Sequence, residues 1–309
     1  MTPQPLITHL YTADPSAHVF NNKLYIYPSH DRETDIAFND NGDQYDMTDY
    51  HVFSMETIDG PVTDHGVVLA AKDVPWVSKQ MWAPDAATKN GKYYLYFPAR
   101  DQEGIFRIGV AVANSPEGPF LPEKEFIAGS YSIDPASFVD EDGEGYLYFG
   151  GIWGGQLQCW KKDGKGLVFD ASKTGPQEPS GEGVLALCPR VAQLSEDMLS
   201  FVEPPRDLQI LAPETGEPLL ADDHERRFLR RRGCIGTAGS TISLTRLVTR
   251  IFLSMRLGIR RSVRLRIRVG FWSLCWAGRR IIRLLNSQGS GICSIMIVNC
   301  RKVSIILDL

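Results

Sequence analysis

The stretch Tyr131–Gly150, YSIDPASFVDEDGEGYLYFG, decides the fold, because one short run holds a carboxylate, a strand, a hairpin loop and a returning strand. Asp134 stands before Pro135, whose ring removes a backbone donor and steers its predecessor toward extended backbone, so the carboxylate is expected at a strand entrance. Phe138 and Val139 start an apolar strand. Asp140–Gly145 has the Asp, Glu and Gly composition of a hairpin loop, and Tyr146–Phe149 alternates aromatic and aliphatic residues as a returning strand does. Together these make half of a four-stranded sheet.

The plan recurs twice upstream. Asp14–Ser29 reads DPSAHVFNNKLYIYPS, and Ala83–Ala99 reads APDAATKNGKYYLYFPA: an Asp beside a Pro, small residues, a strand, a polar turn and an aromatic strand. Starts near residues 14, 84 and 134 are roughly 50 to 70 residues apart, which suits blades of a β-propeller, each a four-stranded sheet of ~40–50 residues plus loops. The expected class is all-β, with about three blades over residues 1–227. Three blades do not close a ring.

Composition breaks where the repeats stop. The chain has 309 residues, 43% hydrophobic and 23% charged, as in an ordinary globular protein. Residues 228–309, however, carry 15 Arg and one Lys against a single acid, Asp308, a net of +15. Residues 1–227 hold the remaining 17 basic and 36 acidic side chains, a net of −19. The last Tyr is Tyr148 and the last Pro is Pro218. The N-terminus lacks a basic stretch followed by an apolar one, so no secretory signal is read and an intracellular location is expected. Cys159 and Cys188 have neither metal-ligand nor disulfide-framework spacing, and Arg interrupts every apolar stretch of the tail, so no membrane span is expected.

Residues 1–227 resemble glycoside hydrolase family 43, particularly its β-xylosidase and α-L-arabinofuranosidase members. The segments that carry the resemblance are TADPSAHVF, YPSHD, DYHVFSM, KQMWAPDA, GKYYLYFPA, SPEGPF, SIDPASFVD and FGGIWGGQLQCW. It implies a five-bladed β-propeller with its active site at the central axis, and hydrolysis of xylo-oligosaccharides or arabinosides with inversion. Inversion needs a carboxylate to activate water and a carboxylic acid to protonate the leaving oxygen, ~6.5–9.5 Å apart. The resemblance maps the general base onto Asp14 and a carboxylate that orients the acid and raises its pKa onto Asp134. An Asp-Pro pair can equally be a strand start, but two copies inside longer shared motifs favour the catalytic reading. Trp82 is the expected sugar platform, Trp153 a weaker one, and His30 a candidate site-lining residue; for each the alternative is packing within a blade. Family members can carry calcium near the propeller axis. No required cofactor and no metal ligand is expected among residues 1–227.

The general acid of the family is a Glu that opens the fourth blade, and no Glu occurs beyond Glu225. Taking the third base of each codon with the first two of the next, the chain from Leu229 can encode EATWMHRYSGKYYLSYS, which has the plan of the missing fourth repeat, Glu included. Further on, Gly289–Leu309 can encode KWYLFYHDCELSKGVNHLRS, a fifth. The His expected to support calcium also falls in this shifted frame. Residues 228–309 are therefore expected to be the family's coding sequence read out of frame, poorly structured and lacking the acid. Two other classes remain open: a sugar-binding module that does not hydrolyse, and a basic interaction protein whose Arg-rich tail binds nucleic acid or anionic lipid. The shifted-frame reading argues against partners of that second kind.

Overall fold

Each of the three repeats folds as a four-stranded antiparallel sheet. The computed structural model describes residues 5–57, 60–140, 142–164, 166–212 and 215–223, and the backbone of four later strands. The chain divides into two compact units, His9–Leu229 and Met1–Thr8 with Arg230–Leu309. In the first unit, β1 (Tyr11–Phe20), β2 (Lys23–Asp31), β3 (Asp49–Met55) and β4 (Thr63–Ala70) form one sheet in sequence order. A second sheet repeats that order with β5 (Asp85–Lys89), β6 (Lys92–Arg100), β7 (Phe106–Ala113) and β8 (Leu121–Pro122).

The third sheet begins with the expected hairpin. Strands β9 (Ala136–Val139) and β10 (Gly145–Phe149) are joined by a loop in which the Asp140 N–H donates to Glu144 O at 3.0 Å and the Glu144 N–H donates to Asp140 Oδ1 at 3.1 Å. A separate hairpin of β11 (Trp160–Asp163) and β12 (Gly166–Phe169) then intervenes. Strands β13 (Arg190–Gln193) and β14 (Arg206–Asp207) complete the sheet beside β10. The region Pro176–Asp223 thus supplies the two outer strands of the third blade, where its composition suggests an insertion with short strands.

Local chemistry explains the hairpins. Asn21 and Asn22, at φ 51° and 61°, turn β1 into β2; Asn90 and Gly91, at φ 51° and 72°, turn β5 into β6. A two-residue turn needs both central residues at positive φ to match strand twist, and Asn and Gly reach that region most readily. Strand β6 shows what the alternation accomplishes. Tyr93, Leu95 and Phe97 belong to one apolar core with Tyr27, Tyr50 and Val52 of the first sheet, while Tyr94 and Tyr96 belong to another with Leu147 and Phe149 of the third. The middle blade is therefore buried on both faces, which stabilises the unit by about 1.5–3 kcal/mol per fully buried apolar side chain.

In the second unit, β15 (Ile267–Val269), β16 (Arg279–Leu285), β17 (Ile292–Asn299) and β18 (Ile305–Leu307) form two antiparallel pairs, β15 with β18 and β16 with β17. The rest of residues 228–309, including Arg230 near the expected acid position, lies outside the described residues.

Candidate active site

Asp14 and Asp134 share an unusual backbone. Their φ angles are 45° and 59°, left-handed values that few residues other than glycine adopt, Asp being among the more tolerant. The extended conformation expected before a proline is thus replaced at both sites by the same strained one. Proline disfavours a right-handed helical predecessor, and both aspartates take the left-handed alternative. At Asp14 the strain coincides with a β-bulge: pairing passes from Ala13↔Ser29 to Ser16↔Tyr27, so Asp14 and Pro15 stand opposite Pro28 alone. Such a bulge re-aims a side chain out of the ladder. Strain of this kind, of order 1–3 kcal/mol per residue, gathers where function needs one fixed geometry.

The segment carrying Asp134 is pinned from outside its sheet. The Ser132 hydroxyl donates to Gly151 O at 3.0 Å and accepts from the Gly151 N–H at 2.9 Å, while the Gly150 N–H donates to Ile133 O at 2.8 Å. Gly151 lies close to the carboxyl, since a Cβ there would come within 3.5 Å of Asp134 Oδ2 and 2.5 Å of Ile133.

Asp85 joins these two strands. Buried to 4% exposure, it accepts the Ser137 N–H at 2.6 Å and the Ser137 hydroxyl at 2.9 Å on Oδ2, and its Oδ1 is 2.9 Å from His18 Nε2. One carboxylate at the start of β5 therefore links β1 and β9, the first strands of the other two sheets. Asp14 lies four residues before His18, and Asp134 three before Ser137. Sequence reasoning missed this bridge, although Asp85 stands in the quoted KQMWAPDA segment, where it follows the proline that the aspartates of the other two repeats precede.

The expected sugar-binding residues fare differently. Trp82 is 7% exposed in a small core with Met47, Phe106 and Ile133, its ring centroid 4.6 Å from that of Phe106. Its Nε1–H donates to Tyr45 O at 2.8 Å. A Cβ on Gly42 or Gly154 would come within 2.6 or 3.2 Å of the ring, so backbone closes over it at both positions. Little of the ring surface is exposed in this packing. Trp153 is partly buried against the second core, and its indole N–H donates to Glu178 Oε1 at 3.0 Å. His30 is bonded to Asp49, with Nδ1 2.7 Å from Oδ1.

Among the described residues, one group of three potential metal ligands comes together: His30, Asp49 and His51. Two imidazoles and one carboxylate do not match calcium, which takes six to eight oxygens. The calcium implied by the resemblance therefore has no fit in these residues. The group escaped the sequence reading because Asp49 and His51 are two apart on one strand and His30 lies on its neighbour.

Comparison with known proteins agrees with this architecture. The profile described as Glycosyl hydrolases family 43 matches residues 3–179. A xylosidase/arabinosidase 43A of Humicola insolens is 73% identical over 226 residues, covering 72% of this chain and 68% of that protein. A xylosidase/arabinosidase of Bacteroides ovatus is 54% identical over 219 residues, covering 71% and 65%. The chain thus spans about two-thirds of the length of the curated relatives it matches. Among solved structures, a β-xylosidase/α-arabinofuranosidase from a compost microbial metagenome, in complex with xylotriose and calcium-free, is 57% identical with a TM-score of 0.69, covering 74% of this chain and 67% of its own. With the blades, the paired Asp-Pro entrances and matches of this extent in agreement, the chain belongs to family 43 of the glycosyl hydrolases.

Proposed function

We propose that residues 1–227 are the first three blades of a xylosidase/arabinofuranosidase that cleaves its glycosidic bond with inversion, and that the chain as written is inactive because its general acid has been lost to a change of reading frame. In this reading Asp14 takes a proton from the attacking water as the water oxygen bonds to the anomeric carbon. The acid would protonate the departing oxygen as the glycosidic bond breaks. Asp134 orients that acid and raises its pKa by like-charge proximity. The observation that carries the reading is the matched pair of strained Asp-Pro sites, whose strands are linked through the Asp85 carboxylate. Further support comes from the relatives' names, from the xylotriose bound in the metagenomic enzyme, and from a match of 226 residues in a chain of 309.

A sugar alkoxide leaves poorly, and proton donation is typically worth ~10²–10⁴-fold, or about 3–5 kcal/mol. Arg230, near the expected acid position, does not give up its proton at a working pH. The test compares turnover of 4-nitrophenyl β-xyloside and 4-nitrophenyl α-arabinofuranoside by this chain, by a one-base frame correction near codon 228, and by the corrected chain with Asp14→Ala. Activity is expected only in the corrected parent. Substantial turnover by the uncorrected chain would refute the loss of the acid, and full activity in corrected Asp14→Ala would remove Asp14 as the base.

A further inference from the structure

On the first blade five side chains alternate between imidazole and carboxylate across neighbouring strands. His30 Nδ1 lies 2.7 Å from Asp49 Oδ1, and His51 Nε2 lies 3.9 Å from that same oxygen. On its other side His51 Nδ1 is 3.0 Å from Asp64 Oδ1, and His9 Nε2 is 2.7 Å from Asp64 Oδ2. Asp64 Oδ1 also accepts the Gly66 N–H at 2.8 Å.

The assignment of protons decides what this arrangement does. With Asp64 accepting from His51 Nδ1–H, a neutral His51 presents a bare Nε2 lone pair. That lone pair faces Asp49 Oδ1, another acceptor, across a gap too wide for a hydrogen bond. Two lone pairs opposed across such a gap call for a positive charge between them. Side-chain exposures of 19%, 17% and 11% for His30, Asp49 and His51 leave solvent access but little hydration to spread that charge.

We propose that His30, Asp49 and His51 bind a divalent transition-metal ion of the zinc class, with Asp64 orienting His51 from behind. The ligand atoms lie within 4.8 Å of one another, and a tetrahedral ion with bonds of ~2.0–2.2 Å would set them about 3.3 Å apart, opening the 2.7 Å His30–Asp49 pair and drawing His51 in from 3.9 Å. The two imidazole centroids are 5.2 Å apart with planes at 74°, close to the roughly 5 Å expected for two rings on one tetrahedral ion. Two nitrogens and one oxygen suit zinc, copper or nickel rather than calcium or magnesium. The carboxylate on the far nitrogen of His51 is the outer support that metal-bound histidines ordinarily have. Binding releases the His30 Nδ1 proton to solvent as that nitrogen becomes a ligand. Strand pairing adds a structural reason for the clip: the β2–β3 ladder runs from Leu24↔Met55 to Ile26↔Phe53, and Pro28 has no N–H to extend it. The ion would hold β2 to β3 beyond that point, where His30 pairs with Thr12, two residues from Asp14.

The test loads the full chain with Co²⁺ and then Zn²⁺. Expected is a visible Co²⁺ spectrum of nitrogen and oxygen coordination, displaced by one equivalent of Zn²⁺, with zinc shielding His30 and His51 from diethyl pyrocarbonate. His30→Gln, at a partly exposed strand end, and His51→Gln should each abolish that spectrum, and Asp64→Asn should weaken zinc binding about 10–100-fold. Circular dichroism checks that each variant is folded. Absence of binding, a spectrum carrying only the near-ultraviolet thiolate bands of the cysteines, or one unchanged in both His variants overturns the site. An imidazolium at His51 held between Asp49 and Asp64 would then be the explanation of the cluster. Because the readout is metal binding, its failure is independent of any failure of glycosidase activity.

Discussion

Asp85 reaches across two blade boundaries with one carboxylate, holding His18 on one oxygen and both donors of Ser137 on the other. Asp85→Ala takes the acceptor from His18 and from the Ser137 N–H, while the Ser137 hydroxyl keeps Ala86 O at 3.1 Å, so it should cost about 1–3 kcal/mol, read as a lowered urea midpoint. Asp85→Asn keeps one acceptor for Ser137 and should cost distinctly less. Equal, small losses in both variants would show that the bridge contributes little. None of this is legible in the sequence, because His18 and Ser137 are unremarkable polar residues whose meaning arises only when separate blades meet. Asp14 and Asp134 were legible as a pair, because each sits in a long motif beside a proline. Their left-handed backbone was not, since the proline argues for extended geometry and the bulge at Asp14 depends on pairing with β2.

Strand β6 is the element where sequence and structure agree most closely. Its alternation sends successive side chains into two different cores, and the Asn90–Gly91 turn sets its register with β5. The facing strand carries a tighter constraint. Gly109 on β7 lies against Trp76 and Phe97, which stack at 5.7 Å and 13°, and a Cβ there would come within 2.5 and 2.6 Å of the two rings. Gly109→Ala is therefore expected to destabilise by about 1–3 kcal/mol through overpacking. Denaturant unfolding checks this; a neutral result would mean that the two rings separate freely. The outer strands of the third blade were the least readable elements. β13 and β14 are short and follow the β11–β12 hairpin, so local composition suggests an insertion where tertiary pairing makes a sheet. The burial of Trp82 was unreadable for a related reason: what covers it comes from distant glycines at 42 and 154.

At the scale of the molecule, the blades bury phenols as well as hydrocarbon. Burial, with smaller contributions from Asp49 at Tyr50 and from Tyr94 at Tyr96, pushes both hydroxyls well above the ordinary tyrosine range. Tyr25 is pushed up to about 12, chiefly by burial and then by Glu117. A raised folded pKa means that the native state keeps a proton the unfolded chain releases near pH ~10. Stability from Tyr25 is thus complete below pH 10 and is lost as pH climbs toward about 12, at about 1.4 kcal/mol per pH unit. Of the 11 tyrosines, Tyr50 and Tyr96 should ionise only together with unfolding. Ultraviolet titration followed alongside circular dichroism checks this, and smooth ionisation of every phenol before unfolding would contradict it.

The partners of Asp85 lie 67 residues before it and 52 after it. On a ribosome, then, the first two blades can join through His18 once the second has emerged, and the other oxygen of the carboxylate stays hydrated until Ser137 has been translated and the third blade begins to dock. The chain has a threshold of synthesis. Termination short of that point strands a charge between half-assembled sheets, whereas a loss of meaning further along spares the joint. The change of composition near residue 228 falls on the tolerant side of that threshold, so the joint of the three blades is complete before the composition changes.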